Sequence, residues 1–445
     1  MDALIPPVGF SIIWSFSPPP DTMTINNILD NLKKSLAHAL ELYAPLIGTV
    51  HSDGNDNYYI NLDDSSNPGI PFYFESKNAP YVSHIVEGLS ARGDEKESGP
   101  LTSEASVLAI KVTQFSCRTI VIAATIHHQV SDLRSLLDFI EVWALLARDE
   151  RIDYNRIPND WSRTPSRFFP SHNGKPSTPS GWVIHSEPVP IEKILEPVFV
   201  PVKPSVWKIT KSSINQLKVD LLSFKSNDNN GNSSTPSWIS KADALTALAA
   251  GAITRARENS SDVKRLWGRS SAESKVENIN ITCNYRSRAP QGTIQSDDYF
   301  GNCLAMTNAA ILRDDLLSAT VDATSRVAFT IRSTLNEELR PQNIANYLAF
   351  FEPDKLVKPH ARLHLKWDLI FSNWCQFDLK DPAIDFGWGK PLKGSPAGGD
   401  SAPGYCHVMN GDESGDIVMS LIVELACVKE LEADPLLNKY AIRLV

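Results

Sequence analysis

No run of apolar residues in this chain is long enough to span a bilayer. The opening Met1-Asp2-Ala3-Leu4-Ile5-Pro6-Pro7 has neither a basic n-region nor a continuous apolar h-region, so a cytosolic, reduced protein is the expectation. The six cysteines (Cys117, Cys283, Cys303, Cys375, Cys406, Cys427) are scattered and form no Cys-x-x-Cys, which signals neither a zinc site nor a disulfide framework. Positive charge is also short. A formal net charge of −9 argues against non-specific nucleic-acid binding, while leaving room for a local basic pocket for a phosphorylated cofactor. No repeat of short period is present. What remains, 42% hydrophobic and 21% charged residues, is the composition of a soluble globular protein. A length of 445 residues accommodates two or three ordinary domains, or two large ones sharing a cleft.

The chemistry concentrates at one junction. Ile120 to Ile126 is an apolar run rich in β-branched residues and ends in His127-His128-Gln129-Val130-Ser131-Asp132. Beyond Asp132 the apolar spacing becomes helical, through Leu133, Leu136, Leu137, Ile140, Val142, Trp143 and Leu146. The histidines therefore stand where a buried strand gives way to a helix that Ser131 or Asp132 can cap. Adjacent strand residues point to opposite faces, so at most one of the two faces a given site.

Elsewhere the pattern alternates between strands and helices. Phe10 to Phe16 reads as a first strand, followed by a helix capped by Thr24 and ended by Pro45 and Gly48. Asp53-Gly54-Asn55-Asp56 is a turn between two strands, the second being Tyr58 to Leu62. Val107 to Phe115 and Cys117 to Ile126 form an antiparallel pair. Thr164 to Pro204 is a Pro-, Ser- and Gly-rich crossover. A helix from about Ser213 to Leu222 is followed by an Asn/Ser/Gly-rich surface loop, Phe224 to Pro236. Ser240 caps a helix over Lys241 to Arg257, Asn278 to Asn284 is a strand, and a long helix runs around Leu316 to Leu339. Asp368 to Ser372 and Asp416 to Glu424 are strands on either side of a Gly/Pro-rich passage from Asp385 to Gly404, and a helix closes the chain after Ala426. Such alternation in both halves suggests two similar α/β domains.

His128-Gln129-Val130-Ser131-Asp132, read as H-x-x-x-D, together with Asp385-Phe386-Gly387-Trp388-Gly389-Lys390-Pro391, resembles the BAHD acyl-CoA-dependent acyltransferases. The likeness is nearest to the fungal branch that holds trichothecene 3-O-acetyltransferase. H-x-x-x-D alone is weak and D-F-G-W-G-K-P is specific. Leu42-Tyr43-Ala44-Pro45-Leu46-Ile47-Gly48 looks like the family's Y-P-L-A-G segment, Asn284 to Arg288 is similar to its D-x-R-x-R, and Tyr299-Phe300-Gly301-Asn302 matches its Y-F-G-N. Ser372-Asn373-Trp374 stands where the family has a Ser/Thr-rich stretch ending in Trp.

The resemblance implies an α/β fold of two chloramphenicol-acetyltransferase-like domains with mixed sheets and an active-site tunnel at their interface. The domains would be residues 1–178, carrying H-x-x-x-D, and 205–445, carrying D-F-G-W-G, joined by a crossover over 179–204. It implies transfer of an acyl group, acetyl first of all, from coenzyme A to a hydroxyl of a small hydrophobic secondary metabolite. His128 is then the general base, and the indole N–H of Trp374 or the amide of Asn373 stabilises the oxyanion. Asp132 is structural and pairs with Arg286, with Arg288 as the alternative, while Asp385, Gly387 and Trp388 hold a loop. Ser240, Lys241, Ser287 and Asn302 either contact coenzyme A or serve as caps and turns. Acyl-CoA is a co-substrate, with no tightly bound cofactor, no metal, no nucleic-acid or membrane partner and a monomeric chain. The family's Gly after the motif Asp is Leu133 here, which puts acceptor geometry in doubt, and Asn284 replaces an Asp. Two other readings compete: transfer from a carrier-protein thioester, as in condensation domains, and a non-acylating ligand-binding or pericyclase-like member of the fold.

Overall fold

The computed structural model describes residues 8–52, 58–62, 69–82, 89–91, 105–158, 161, 164–190, 192–193, 196–224, 236–261, 263, 266, 269–271, 273–295, 297–352, 362–397, 402–411 and 415–444. The chain divides into two compact units. The first comprises Met1–Pro165, Thr293–Cys303 and Phe377–Asp400, and the second Ser166–Gly292, Leu304–Gln376 and Ser401–Val445.

In the first unit, β1 (Gly9–Phe16), β2 (Phe72–Lys77), β3 (Leu108–Phe115) and β4 (Ile120–His127) share a five-stranded mixed sheet. Its edge is a return strand, Lys393–Pro396, from near the other end of the chain, antiparallel to β1. β4 lies between β1 and β3, antiparallel to both, and every one of its residues is buried, as its uninterrupted apolar run requires. Helices α1 (Ile25–Leu42) and α2 (Leu133–Ala147) pack together, with Trp143 Nε1 donating to the Leu32 carbonyl (3.2 Å) and to Ser35 Oγ (3.1 Å). Thr24 caps α1 through Asn27 N–H.

The second unit holds a seven-stranded mixed sheet in the order β7–β6–β8–β9–β10–β5–β11. These are β5 (Val202–Ile209), β6 (Val276–Asn284), β7 (Leu304–Leu312), β8 (Leu369–Asn373), β9 (Tyr405–Asn410), β10 (Ile417–Glu424) and β11 (Ile442–Arg443). β8 runs parallel to both β6 and β9, and the remaining pairs are antiparallel. One face carries Trp207, Ile279, Ile281, Phe371, Cys406, Val408, Met419 and Leu421 against helices α3 (Lys211–Ser223), α4 (Lys241–Asn259) and α5 (Val321–Glu338). The alanine-rich α4 is buried nearly all round, which its small side chains allow.

Several expectations are corrected. The segments carrying Y-F-G-N and D-F-G-W-G belong to the first unit and not to the second, because the return strand pairs with β1. The first break between units falls at Pro165/Ser166, earlier than residue 178. The helix expected over 316–339 begins as a separate turn, Arg313–Leu317, and restarts as α5 behind the Thr320 cap. The crossover contains a strand, Trp182–Ile184, antiparallel to Leu363–Leu365. The Asp53–Asp56 turn and most of the Phe224–Pro236 loop lie outside the described residues. Among the described residues, no helix is long and apolar enough to cross a membrane.

Candidate active site

β4 delivers His128 one residue past its end. The His127 N–H donates to the Val107 carbonyl (2.8 Å) and the His128 N–H to the Val8 carbonyl (2.9 Å), so the backbone of the pair is held on both sides. His127 is buried at 2% exposure and accepts from Gln129 N–H on Nδ1 (3.3 Å). His128 is half-buried, with the Phe10 ring packed 4.7 Å from its own. Its Nδ1 lies 3.2 Å from the carbonyl oxygen of Ser131. A carbonyl can only accept, so Nδ1 carries the proton and Nε2 presents its lone pair. Burial pushes the imidazole below the ordinary histidine pKa, outweighing the Asp132 charge, the Ser131 carbonyl and the Asn302 amide, which act the other way. The ring is therefore neutral at neutral pH, the form that can take a proton.

The Asp132 carboxylate is 2% exposed and does two backbone jobs. Oδ1 caps α2 by accepting from Ser135 N–H (3.0 Å), and Oδ2 accepts from Cys303 N–H (3.0 Å). Ser135 Oγ accepts from Gly301 N–H (3.0 Å) and donates to the Gly301 carbonyl (3.1 Å). Asn302 is fully buried, and its Nδ2 donates to the His128 carbonyl (2.9 Å). Asn302 thereby holds the histidine's own main chain. Phe300 joins Tyr43, Phe139 and Trp161 in an edge-to-face cluster with centroids 5.3–5.9 Å apart, which seats the Y-F-G-N segment on the Y-P-L-A-G counterpart. Leu133 is the first residue of α2, a place where any residue's φ is acceptable, so no left-handed conformation is demanded there.

The D-F-G-W-G loop is built by its own residues. Asp385 Oδ1 accepts from Gly387 N–H (2.7 Å) and Gly389 N–H (2.9 Å). Both glycines take left-handed φ values, +107° and +115°, where a side chain would be strained. Phe386 is buried against Trp143 (4.7 Å) and Phe16 (5.9 Å), and Trp388 lies 5.6 Å from Phe16. Arg148 donates to the carbonyls of Asp385 and Ala383. Asp385 and the two glycines thus shape the loop, and Phe386 and Trp388 pack it against Phe16.

The remaining candidates lie in the second unit. Trp374 Nε1 donates to Ser372 Oγ (2.9 Å), and its ring sits 5.1 Å from His407. Asn373 Oδ1 accepts from Cys375 N–H (2.9 Å). Period two puts Asn373 and Trp374 on opposite faces, so one site can use only one of them. Arg286 is buried, its N–H and Nη1 both donating to Asn284 Oδ1, the residue that replaces the family's Asp; Arg288 is exposed. Ser240 forms a capping box with Asp243, and Arg332 donates to both while stacking on Trp238 at 4.4 Å. Lys241 and Ser287 are exposed. Sequence reasoning missed Phe10, the Ser131 carbonyl and Ser135. Phe10 could have been found from the β1–β4 pairing, whereas a backbone oxygen leaves no trace in residue types.

The sequence pattern of the Transferase family matches residues 1–429. Phenolic glucoside malonyltransferase 1 of Bemisia tabaci is 24% identical over 396 residues, covering 85% of this chain and 78% of its own length. Taxadien-5-alpha-ol O-acetyltransferase of Taxus cuspidata is 22% identical over 406 residues, 88% of this chain and 78% of its own. Among solved structures, F. graminearum TRI101 with coenzyme A and T-2 mycotoxin superposes with a TM-score of 0.74 at 15% identity, covering 99% of this chain and 98% of that one. Vinorine synthase superposes at 0.62 and 20% identity over 96% of this chain and 90% of its own. With both signature motifs in place and the family pattern covering nearly the whole chain, this protein belongs to the Transferase family, the BAHD acyl-CoA-dependent acyltransferases.

Proposed function

We propose that the enzyme moves an acetyl group from coenzyme A to a hydroxyl of a small hydrophobic metabolite, with His128 as general base. The observation that carries this reading is the Nδ1 contact with the Ser131 carbonyl, which leaves a neutral Nε2 as acceptor. Nε2 takes the acceptor's hydroxyl proton as the oxygen attacks the thioester carbonyl. The tetrahedral intermediate collapses with cleavage of the C–S bond, and the imidazolium returns its proton to the departing thiolate. Water-like pKa values make an alcohol a poor nucleophile, and a positioned base contributes roughly 10²- to 10⁴-fold without a covalent enzyme intermediate. Of the two expected oxyanion donors, Trp374 is favoured. It shares the face of Ser372, and its indole N–H can pass from Ser372 Oγ to the developing oxyanion. Lys241 and Ser287, both exposed, are the candidates for the phosphates of coenzyme A, Lys241 at the N-terminal end of α4. Ser240 is already engaged as a cap.

The donor is tested by thiol release from acetyl-CoA with a panel of alcohols, against release from an acetylated carrier protein. The carrier arm tests the competing reading, transfer from a carrier-protein thioester. Alcohol-dependent thiol release from acetyl-CoA, abolished in His128→Ala, is expected. Release from the carrier alone would replace the donor, and no release from either would end the acyl-transfer reading.

A further inference from the structure

The main chain of His128 is held at both of its polar groups. Its N–H donates to the Val8 carbonyl (2.9 Å), and its carbonyl accepts from Asn302 Nδ2 (2.9 Å). Neither bond sets the rotation of the imidazole about Cα–Cβ and Cβ–Cγ. The ring itself meets the Ser131 carbonyl, 3.2 Å from Nδ1, and the ring of Phe10. A separation of 3.2 Å is the long end of the range for an N–H···O hydrogen bond, so that bond alone is a soft restraint.

Strand register brings Phe10 to the imidazole. β1 and β4 run antiparallel, with Gly9 beside His127 and Phe10 beside Ile126. Side chains alternate between the faces, so Phe10, Ile126 and His128 share one of them. His127 falls on the other, where its cross-strand neighbour is a glycine. Phe10 and His128 are thus diagonal neighbours across the ladder, about 7–8 Å apart between Cα atoms, a gap that an aromatic side chain spans. Their ring centroids lie 4.7 Å apart at an interplanar angle of 59°. Aromatic pairs favour such tilted contacts, which bias a population roughly 2- to 10-fold beyond what burial gives. Turning the imidazole about Cα–Cβ away from Ser131 also carries it off the Phe10 ring, so one rotation breaks both contacts.

We infer that Phe10 is a positioning residue for His128: its ring holds the imidazole where Nδ1 stays on the Ser131 carbonyl and Nε2 is presented as acceptor. Phe10 acts through the imidazole and takes no part in proton transfer itself. Its effect on turnover rests on the reading of His128 as general base. Its effect on the imidazole does not, and is measured on the resting enzyme with no substrate present.

Wild type, Phe10→Leu and Phe10→Tyr are labelled with nitrogen-15 histidine, and the His128 signals are identified by their absence from His128→Ala. At neutral pH the wild-type ring should show one protonated nitrogen, Nδ1, and one bare nitrogen, Nε2. Phe10→Leu keeps apolar bulk on β1 without a flat ring, so the fold is retained. Its two His128 nitrogens should move toward intermediate shifts as the proton is shared between tautomers, and Phe10→Tyr should restore the wild-type pattern. In thiol release from acetyl-CoA with the alcohol of the panel that reacts fastest, Phe10→Leu should lose about 10-fold in kcat at unchanged KM for the alcohol, and Phe10→Tyr should recover most of that loss. Mixed signals in the wild type, or a single tautomer that survives in Phe10→Leu, would overturn the proposal. So would a Phe10→Leu enzyme whose KM for the alcohol rises at unchanged kcat, which makes Phe10 a wall of the acceptor site. Tautomer mixing in Phe10→Leu alongside no thiol release in the wild type would sink the acyl-transfer reading and leave the positioning role standing.

Discussion

The imidazole Nδ1 of His128 and the main-chain oxygen of Ser131 lie 3.2 Å apart, three residues from each other in the loop between β4 and α2. That contact does for the imidazole what a buried carboxylate does for the histidine of a Ser-His-Asp triad: it fixes the tautomer and the orientation. Asp132, four residues on, is occupied with main-chain N–H groups at Ser135 and Cys303.

Because burial lowers the His128 pKa, its base form persists to lower pH than an ordinary histidine allows. A plot of kcat/KM against pH should rise with a midpoint below about 6.5, the ordinary histidine value, and be flat through neutrality. A midpoint above 7 would contradict the neutral-base reading. His128→Ala should lose at least about 10²-fold in kcat with an unchanged circular dichroism spectrum.

Asp132→Ala removes a helix cap and strands a buried N–H at Cys303. The expected loss is about 2–4 kcal/mol, read as a lower denaturation midpoint and poor soluble yield alongside lost activity. Asp132→Asn should be milder, since the amide oxygen can still accept one of the two bonds. A double-mutant cycle with Arg286→Ala tests the expected charge pairing; strict additivity would remove it. An Asp132→Ala protein that is fully stable yet inactive would return Asp132 to the chemistry.

Gly48→Ala should destabilise by about 1–3 kcal/mol. The added Cβ would collide with Ile60 Cγ2 and lie 2.7 Å from the Asn61 carbonyl oxygen, which is pinned in the hairpin that pairs Thr49 with Asn61. An unchanged thermal midpoint would show that the hairpin yields.

Glu424 is buried in the second unit between Arg257 and Arg269. Burial raises its pKa, but the Arg257 and Arg269 charges outweigh that and bring it down to about 2. A carboxylate with a depressed folded-state pKa contributes stability above its unfolded value of about 4.3, lost as pH falls toward the folded value. Acid titration of stability should therefore steepen between about pH 4.3 and 2, and Glu424→Gln should flatten that limb while lowering stability at pH 7. Parallel acid limbs in the two proteins would contradict the assignment.

By itself the sequence determined the local pieces: the buried strand that stops at His128, the helix that starts behind Asp132, the Ser240 cap of α4 and the D-F-G-W-G loop. Each is legible because its cause lies within a few residues, in apolar period, capping side chain or glycine φ. Tertiary structure alone decided which pieces meet. Asn302 and Cys303 hold the histidine loop from more than 170 residues away. The strand Lys393–Pro396 draws D-F-G-W-G into the first unit, although it sits in a passage read as loop. The parallel register that sets Thr282 beside Ser372 joins strands far apart in the chain. Strand period tells which residues share a face, but the pairing of distant strands is set by which arrangement buries both sheets' apolar faces at once, and no local pattern encodes that choice.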